Sequence, residues 1–364
     1  MAEPLKNMYT PELVARLAAA CARVDENFNS EAFVKAVFDE AWPKRELKDR
    51  MRHITFMLGR FVSGDYPQQL QTLYQASPGF SGFTAILFSD FLEVFGLDYP
   101  DISIPALADF TLLCSSEFAI RPYLIRYPER LLTQCMQWAE HEHEHIRRLA
   151  SEGTRPRLPW GQDVAWIKKN PVVVLPLLEK LKNDSSEYVR RSVANSLNDI
   201  SKTHPQLAME VATAWKGQST ATDKLLKHAL RGLLKKGHPD ALALFGFQQV
   251  TYNLHHFTLS TQRLIMGEKL NFELELSHLG NAPALYRLEY VIHYLKANGN
   301  KTPKVFQISE RMFKPGEKVN FKRQQAFADL TTRKHYPGEH ILAIHLNGQA
   351  IHNEKFMLAA AINL

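Results

Sequence analysis

The sequence predicts an all-α repeat solenoid over residues 1–248 followed by an all-β sandwich over residues 249–364. Three observations carry that division. A helix with a double arginine recurs at a fixed offset, prolines recur where helices would begin, and beyond residue 249 apolar and polar residues alternate with period two.

The first sixty residues read as helices, in "TPELVARLAAACARV" and "SEAFVKAVFDEAW". Prolines then mark a beat at Pro67, Pro100, Pro128, Pro171, Pro205 and Pro239, with intervals of 33, 28, 43, 34 and 34 residues. Proline suits the first helical turn, where its missing N–H costs nothing. Each interval holds about two helices of ordinary length, so the pattern reads as helix pairs of the HEAT-like kind, stacked so that one face receives something elongated.

The clearest repeat helix is "SSEYVRRSVANSLNDISKTHP", residues 185–205. Val189, Val193, Leu197 and Ile200 form its apolar stripe, Ser185 or Ser186 can cap its start, and His204-Pro205 ends it. "HIRRLASEG" (145–153) aligns with "YVRRSVANS" (188–196) at an offset of 43, pairing Arg147 with Arg190 and Arg148 with Arg191. A looser copy, "LLKHALRGLLKKGHP", places Lys227 and His228 where the arginines stood. Between the first two copies lies "SEGTRPRLPWGQD", a Pro- and Gly-rich insertion expected on a loop.

From residue 249 onward, "KLNFELELSHLG", "LYRLEYVIHYLK", "VNFKRQQAFADL" and "EHILAIHLNG" alternate as strands, separated by turns such as "ANGNKTP" and "KPGEK". This spacing predicts an immunoglobulin-like sandwich. "HYPGEHILAIHLNG" also has the look of a tyrosine corner, with Tyr336 as its tyrosine.

Bulk properties narrow the function. The N-terminus lacks the basic-then-apolar layout of a secretory signal, and the longest apolar stretch is broken by Asp90 and Glu93. Cys21, Cys114 and Cys135 form a sparse, odd set without metal spacing, so a reducing cytoplasm is expected. Charge is distributed unevenly. Residues 1–146 carry 13 basic against 20 acidic residues, residues 147–236 carry 17 against 8, and residues 249–364 carry 14 against 9. A basic middle and end suit a polyanion.

Two constellations could carry chemistry. His141, Glu142 and His145 match H-E-x-x-H, which in a metalloprotease helix holds zinc. The extended pattern fails, because Arg148 and Ser151 occupy the places of the metzincin glycine and third histidine, so zinc hydrolysis is not favoured. The second constellation is more coherent. Arg148 and Glu152 are four apart, as are Glu117 and Arg121, and Arg191, Asn195 and Asp199 continue at the same spacing. The plain alternative is intrahelical ion pairs, each worth roughly 0.3–0.5 kcal/mol.

Through "SSEFAIRPYLIRYPERL", "HIRRLASEGTRPRLPW" and "VRRSVANSLNDISKTHP", the chain resembles the AlkC branch of the AlkC/AlkD-type DNA alkylation-repair glycosylases. These are HEAT-like repeat proteins, some with a C-terminal immunoglobulin-like domain, and the likeness spans essentially the whole chain. The resemblance implies that Glu117, Glu152, Trp160 and Asp199 occupy active-site positions, with Arg148 beside them. It further implies excision of N3-methylated adenine and cytosine from duplex DNA without full base flipping. A solenoid acting on one lesion needs no partner, so a monomer is expected, with no cofactor or metal.

The chemistry fits those residue types. A base methylated at N3 is cationic and leaves readily. The enzyme must instead stabilise positive charge on the deoxyribose and place a water, which is work for preorganised carboxylates. Glu152 and Asp199 are the first candidates, with Glu117 assisting. Trp160 can lie against the sugar or the cationic base, contributing about 0.5–2 kcal/mol by cation–π contact. Arg147, Arg190, Arg191, Lys168, Lys169 and Lys227 are the candidates for holding phosphates. One arginine of each pair is expected to brace its repeat, with Arg148 supporting Glu152 and Arg190 facing phosphate. A non-catalytic HEAT-repeat scaffold that binds nucleic acid or protein is the competing reading.

Overall fold

The computed structural model describes residues 3–329 and 333–360, and the predicted class holds: helices first, then a two-sheet sandwich. The helices run α1 (Pro11–Ala22), α2 (Ser30–Val37), α3 (Leu47–Phe61), α4 (Tyr66–Ala76), α5 (Ile86–Phe95) and α6 (Pro100–Thr111). They continue as α7 (Ile120–Arg126), α8 (Pro128–Trp138), α9 (Glu144–Gly153), α10 (Ala165–Lys169), α11 (Leu175–Leu181) and α12 (Glu187–Thr203). The last four are α13 (Pro205–Trp215), α14 (Thr220–Ala229), α15 (Arg231–Lys235) and α16 (Pro239–Leu244). None among the described residues is long and apolar enough to cross a membrane.

The prolines do what their spacing predicts. Pro67, Pro100, Pro128 and Pro239 stand in the first turn of α4, α6, α8 and α16, Pro171 opens a short 3-10 turn, and Pro205 begins α13. Polar caps assist elsewhere: the Thr10 hydroxyl accepts the Leu13 N–H at 3.2 Å, and Asp65 and Gln68 close a capping box on α4.

The stripe of α12 is buried as expected, with Val189, Val193, Leu197 and Ile200 all at 0% exposure. Each contributes on the order of 1.5–3 kcal/mol by leaving water. On one side α12 packs against α9 and on the other against α14. Small side chains permit close approach at the first contact, where Ser151 donates to Ser192 at 2.7 Å. Ser186 occupies the N-cap position of α12, but its hydroxyl donates to Glu144, and Asp184 accepts the Ser186 N–H at 2.8 Å instead.

The sandwich has strands β1 (Tyr252–Leu259), β2 (Arg263–Ile265), β3 (Lys269–His278), β4 (Ala284–Leu295), β5 (Lys301–Phe313), β6 (Lys318–Ala326), β7 (Gly338–Leu346) and β8 (Gln349–Ala359). One sheet has the order β1-β3-β6 and the other β2-β8-β7-β4-β5. All pairings are antiparallel except β2 with β8. Leu274 and Leu276 of β3, Leu288 and Ile292 of β4, and Leu342 and Ile344 of β7 belong to the shared core. β4 is buried on both faces: Glu289 and Val291, opposite the core, are 1% and 2% exposed. Arg287 meets the buried Glu289 at 2.6 Å and Glu310 at 2.8 Å, so neither carboxylate is left bare.

Tyr336, the tyrosine of the expected corner, is half-buried. In the described part the buried ring is His340, whose Nε2 donates to the Tyr336 carbonyl at 3.0 Å.

The chain divides into two compact units, residues 1–204 with 217–229, and residues 205–216 with 230–364. The expected boundary after residue 248 falls between α16 and β1. The helices α13, α15 and α16 group with the strands.

Candidate active site

Three carboxylates from three separate segments are linked by two arginines. Glu117 lies in the turn before α7, Glu152 in the last turn of α9, and Asp199 in α12. Arg148 Nη1 donates to Glu117 Oε2 at 2.9 Å and to the Ser115 hydroxyl at 3.1 Å, while its Nη2 stands 3.7 Å from Glu152 Oε1. Arg155 Nη1 donates to the same Glu152 oxygen at 2.6 Å, and its Nε donates to Asp199 Oδ2 at 2.9 Å. Lys202 Nζ completes the row on Asp199 Oδ1 at 2.9 Å.

This network is largely dry. Glu152 is 4% exposed and Asp199 0%, and each faces the Arg155 guanidinium. Burial alone would lower the Arg155 guanidinium, but Glu152 and Asp199 outweigh it and raise it above its ordinary value. Arg148 is held up in the same way by Glu152 and Glu117. Its guanidinium also lies 4.5 Å over the Tyr188 ring. Glu117, Arg148 and Tyr188, with Phe83, Phe118 and His145, line a cleft of about 320 Å³.

The predicted insertion forms the loop that leaves α9, and Arg121 holds it at both ends. Its guanidinium is fully buried and donates to the carbonyls of Gly153, Arg155 and Gln162 at 2.8, 2.7 and 2.9 Å. Burial pushes this group down to about 10, which leaves it protonated at neutral pH. Trp160 sits between those anchors with φ of 64° and a ring 63% exposed. A bulky residue in the left-handed region is strained, at a cost of order 1–3 kcal/mol, and the loop retains it without gaining core packing from the ring.

Several expectations need correction. Glu117 and Arg121 do not pair along a helix, because α7 begins at Ile120 and Glu117 pairs instead with Arg148. Arg147 is not available to phosphate. Its Nε and Nη2 bind both Asp184 oxygens, at 2.7 and 2.9 Å, and its Nη1 donates to the carbonyls of His141 and Glu142. Arg190 repeats the last contact with the carbonyls of Asp184 and Ser185, so the first arginine of each pair ties the incoming chain to its helix. H-E-x-x-H forms no single helical face, since α9 begins at Glu144 and His141 and Glu142 precede it.

Among the remaining phosphate candidates, Arg191 is exposed and Arg190 half-buried. Both line a groove of about 290 Å³ with Lys224 and His228 of α14. Lys227 is exposed on that helix. Lys168 is paired with Asp163 at 2.9 Å and Lys169 is exposed, both on α10. Sequence reading missed Arg155, Lys202 and Lys224. Arg155 stands in the quoted "SEGTRPRLPW", three residues after Glu152, but the non-helical insertion gave no spacing rule with which to pair it.

Comparison with known proteins places this arrangement. Residues 110–230, which include all three carboxylates, match the family described as DNA alkylation repair enzyme. Residues 253–360 match the family described as uncharacterised protein YhaZ, C-terminal Ig-like domain. The two matches together describe a helical alkylation-repair region with an appended immunoglobulin-like domain. The chain belongs to the AlkC-type DNA alkylation-repair family. It is 44% identical to YhaZ of Bacillus subtilis (strain 168) over 346 residues, covering 95% of this chain and 96% of that one. It also superposes on Pseudomonas fluorescens alkylpurine DNA glycosylase AlkC, solved bound to DNA containing an abasic site analogue. There the TM-score is 0.95 at 34% identity, over 98% of this chain and 100% of that one.

Proposed function

We propose that this protein is a DNA glycosylase that hydrolyses the N-glycosidic bond of cationic N3-alkylated bases, 3-methyladenine and 3-methylcytosine, in duplex DNA. The observation that carries this reading is the row Glu117–Arg148–Glu152–Arg155–Asp199, three carboxylates fixed by two guanidiniums, with an exposed Trp160 on the loop that carries Arg155. The similarity to an alkylpurine DNA glycosylase over the whole chain supports it.

In this reading the base leaves as a neutral molecule and positive charge develops on the deoxyribose. Glu152 and Asp199, oriented before the reaction, stabilise that charge and position the attacking water, with Glu117 assisting through Arg148. Preorganisation matters because carboxylates already in place need no rearrangement as charge develops. Trp160 meets the sugar or the cationic base. Arg191, Lys224 and Lys227 on α12 and α14 of the HEAT-like stack, with Lys169, hold phosphates without reading sequence, while Arg190 braces its repeat instead of facing phosphate as expected. The basic sandwich domain adds further phosphate contacts. The chain acts as a monomer, without metal, and leaves the base unflipped.

The test is release of free bases from methylated duplex DNA in the presence of EDTA, followed by mass spectrometry. Release of 3-methyladenine or 3-methylcytosine supports the assignment. DNA binding with no base released would instead indicate a scaffold.

A further inference from the structure

The tip of the Trp160 loop has an attachment of its own. Arg121 fixes the loop at Gly153, Arg155 and Gln162, on either side of Trp160. Trp160's own carbonyl is taken by a residue 112 positions away, Lys48 of α3, whose Nζ donates to it at 2.9 Å. The same ammonium lies 4.9 Å over the ring of Phe118, the neighbour of Glu117. One cation therefore touches both the peptide that carries Trp160 and the turn that carries Glu117.

The Trp160 backbone is left-handed while its ring is 63% exposed, so the conformation is not maintained by burying the indole. A strained residue persists only where its surroundings over-determine it. With the loop ends held by Arg121, the tip is a turn closed by the Gly161 N–H donating to the Leu158 carbonyl at 3.2 Å, and the Lys48 contact adds a second hold on the carbonyl of Trp160 itself. Turning that carbonyl toward Lys48 sets the direction in which the Trp160 side chain leaves the chain.

We infer that Lys48 is a positioning residue, which holds the Trp160 peptide in its left-handed form and so presents the indole to substrate. This rests on the reading of Trp160 as a lesion contact. A charge-assisted hydrogen bond to a carbonyl has enough strength for its loss to lower the rate about tenfold. Methionine keeps the length of the lysine stem and removes the donor. Arginine restores a cation that can reach both partners.

The experiment uses the full chain and methylated duplex DNA in single-turnover base release, with dissociation constants measured in parallel. Lys48→Met is expected to lower the rate about tenfold with affinity changed less than twofold, and Lys48→Arg to recover most of it. In a Trp160→Ala background the Lys48 substitution should have no further effect. Wild-type rates in Lys48→Met, or losses that multiply in the double variant, overturn the inference. Amide hydrogen exchange of residues 157–162 without DNA provides a readout independent of catalysis. Exchange should rise in Lys48→Met and not in Lys48→Arg, and unchanged exchange refutes the anchoring itself. Absence of base release by the wild type would count against the proposed glycosylase, while the exchange result would still decide the role of Lys48.

Discussion

Arg155 Nε donates to Asp199 Oδ2 at 2.9 Å across 44 residues of chain, and the same guanidinium reaches Glu152 at 2.6 Å. One planar group therefore fixes the separation of two carboxylates on different helices. Lysine offers a single point charge and cannot serve both in that geometry. Arg155→Lys should lower excision roughly 10- to 100-fold with DNA affinity nearly unchanged, measured by single-turnover release beside equilibrium binding.

The carboxylates make the sharper test. Glu152→Gln and Asp199→Asn keep shape and remove charge, and each should reduce base release by about 100-fold or more, with Glu117→Gln reducing it less. Full release by both of the first two variants would remove them from the active site.

Trp160 yields a prediction in which stability and activity part. Trp160→Gly relieves a left-handed backbone and loses no buried packing, so the melting temperature should hold or rise slightly, by an amount worth up to about 1 kcal/mol. Base release should fall about tenfold or more. Calorimetry and the release assay on the same preparation decide it, and a large drop in melting temperature would mean that the ring is structural.

Arg191 and Lys224, lining one groove, should behave as sequence-blind phosphate contacts. Replacing each with Gln is expected to weaken binding to damaged and undamaged duplex alike. The slope of log K against log salt should fall by about one per residue. A slope equal to wild type would exclude the groove from the DNA footprint.

Acid should loosen the α9–α12 junction. Burial alone would raise the Asp184 carboxyl, but its bonds from Arg147 and the Ser186 N–H hold it below the usual carboxylate range. A depressed carboxylate contributes stability above its unfolded pKa of about 3.9 and loses it as pH falls through the folded value. Urea unfolding between pH 6 and pH 2 should therefore show a decline that Asp184→Asn flattens. At neutral pH that variant should cost about 1–3 kcal/mol.

Pro67, Pro100, Pro128, Pro205 and Pro239, the α12 stripe and the alternating strands were legible because helix starts, helix faces and strand faces are local properties with fixed periods. Glu117–Arg148 and Arg155–Asp199 were not, because those pairs span 31 and 44 residues and depend on how helices stack. Spacing rules pair residues within a helix, which is why Arg121 was matched to Glu117 when its guanidinium serves three carbonyls of the loop. The double arginine was legible as a repeat, but not that Arg147 and Arg190 share one task while Arg148 and Arg191 part ways. Nor could period or composition place α13, α15 and α16 with the strands.

Glu117, Glu152 and Asp199 are matched one for one by Arg148, Arg155 and Lys202. Three bare anions on a surface proposed to meet DNA would push the phosphate backbone away before any lesion was tested. Balanced from within, the cluster presents almost no net field at a distance, so passing duplex is not repelled. Its polarity is felt only within a few ångströms, where a sugar gaining positive charge can draw on the carboxylates directly. If the cluster is the active site proposed above, it is silent to ordinary nucleotides and responsive to one whose base already carries a charge, and discrimination begins in the arithmetic of the resting protein.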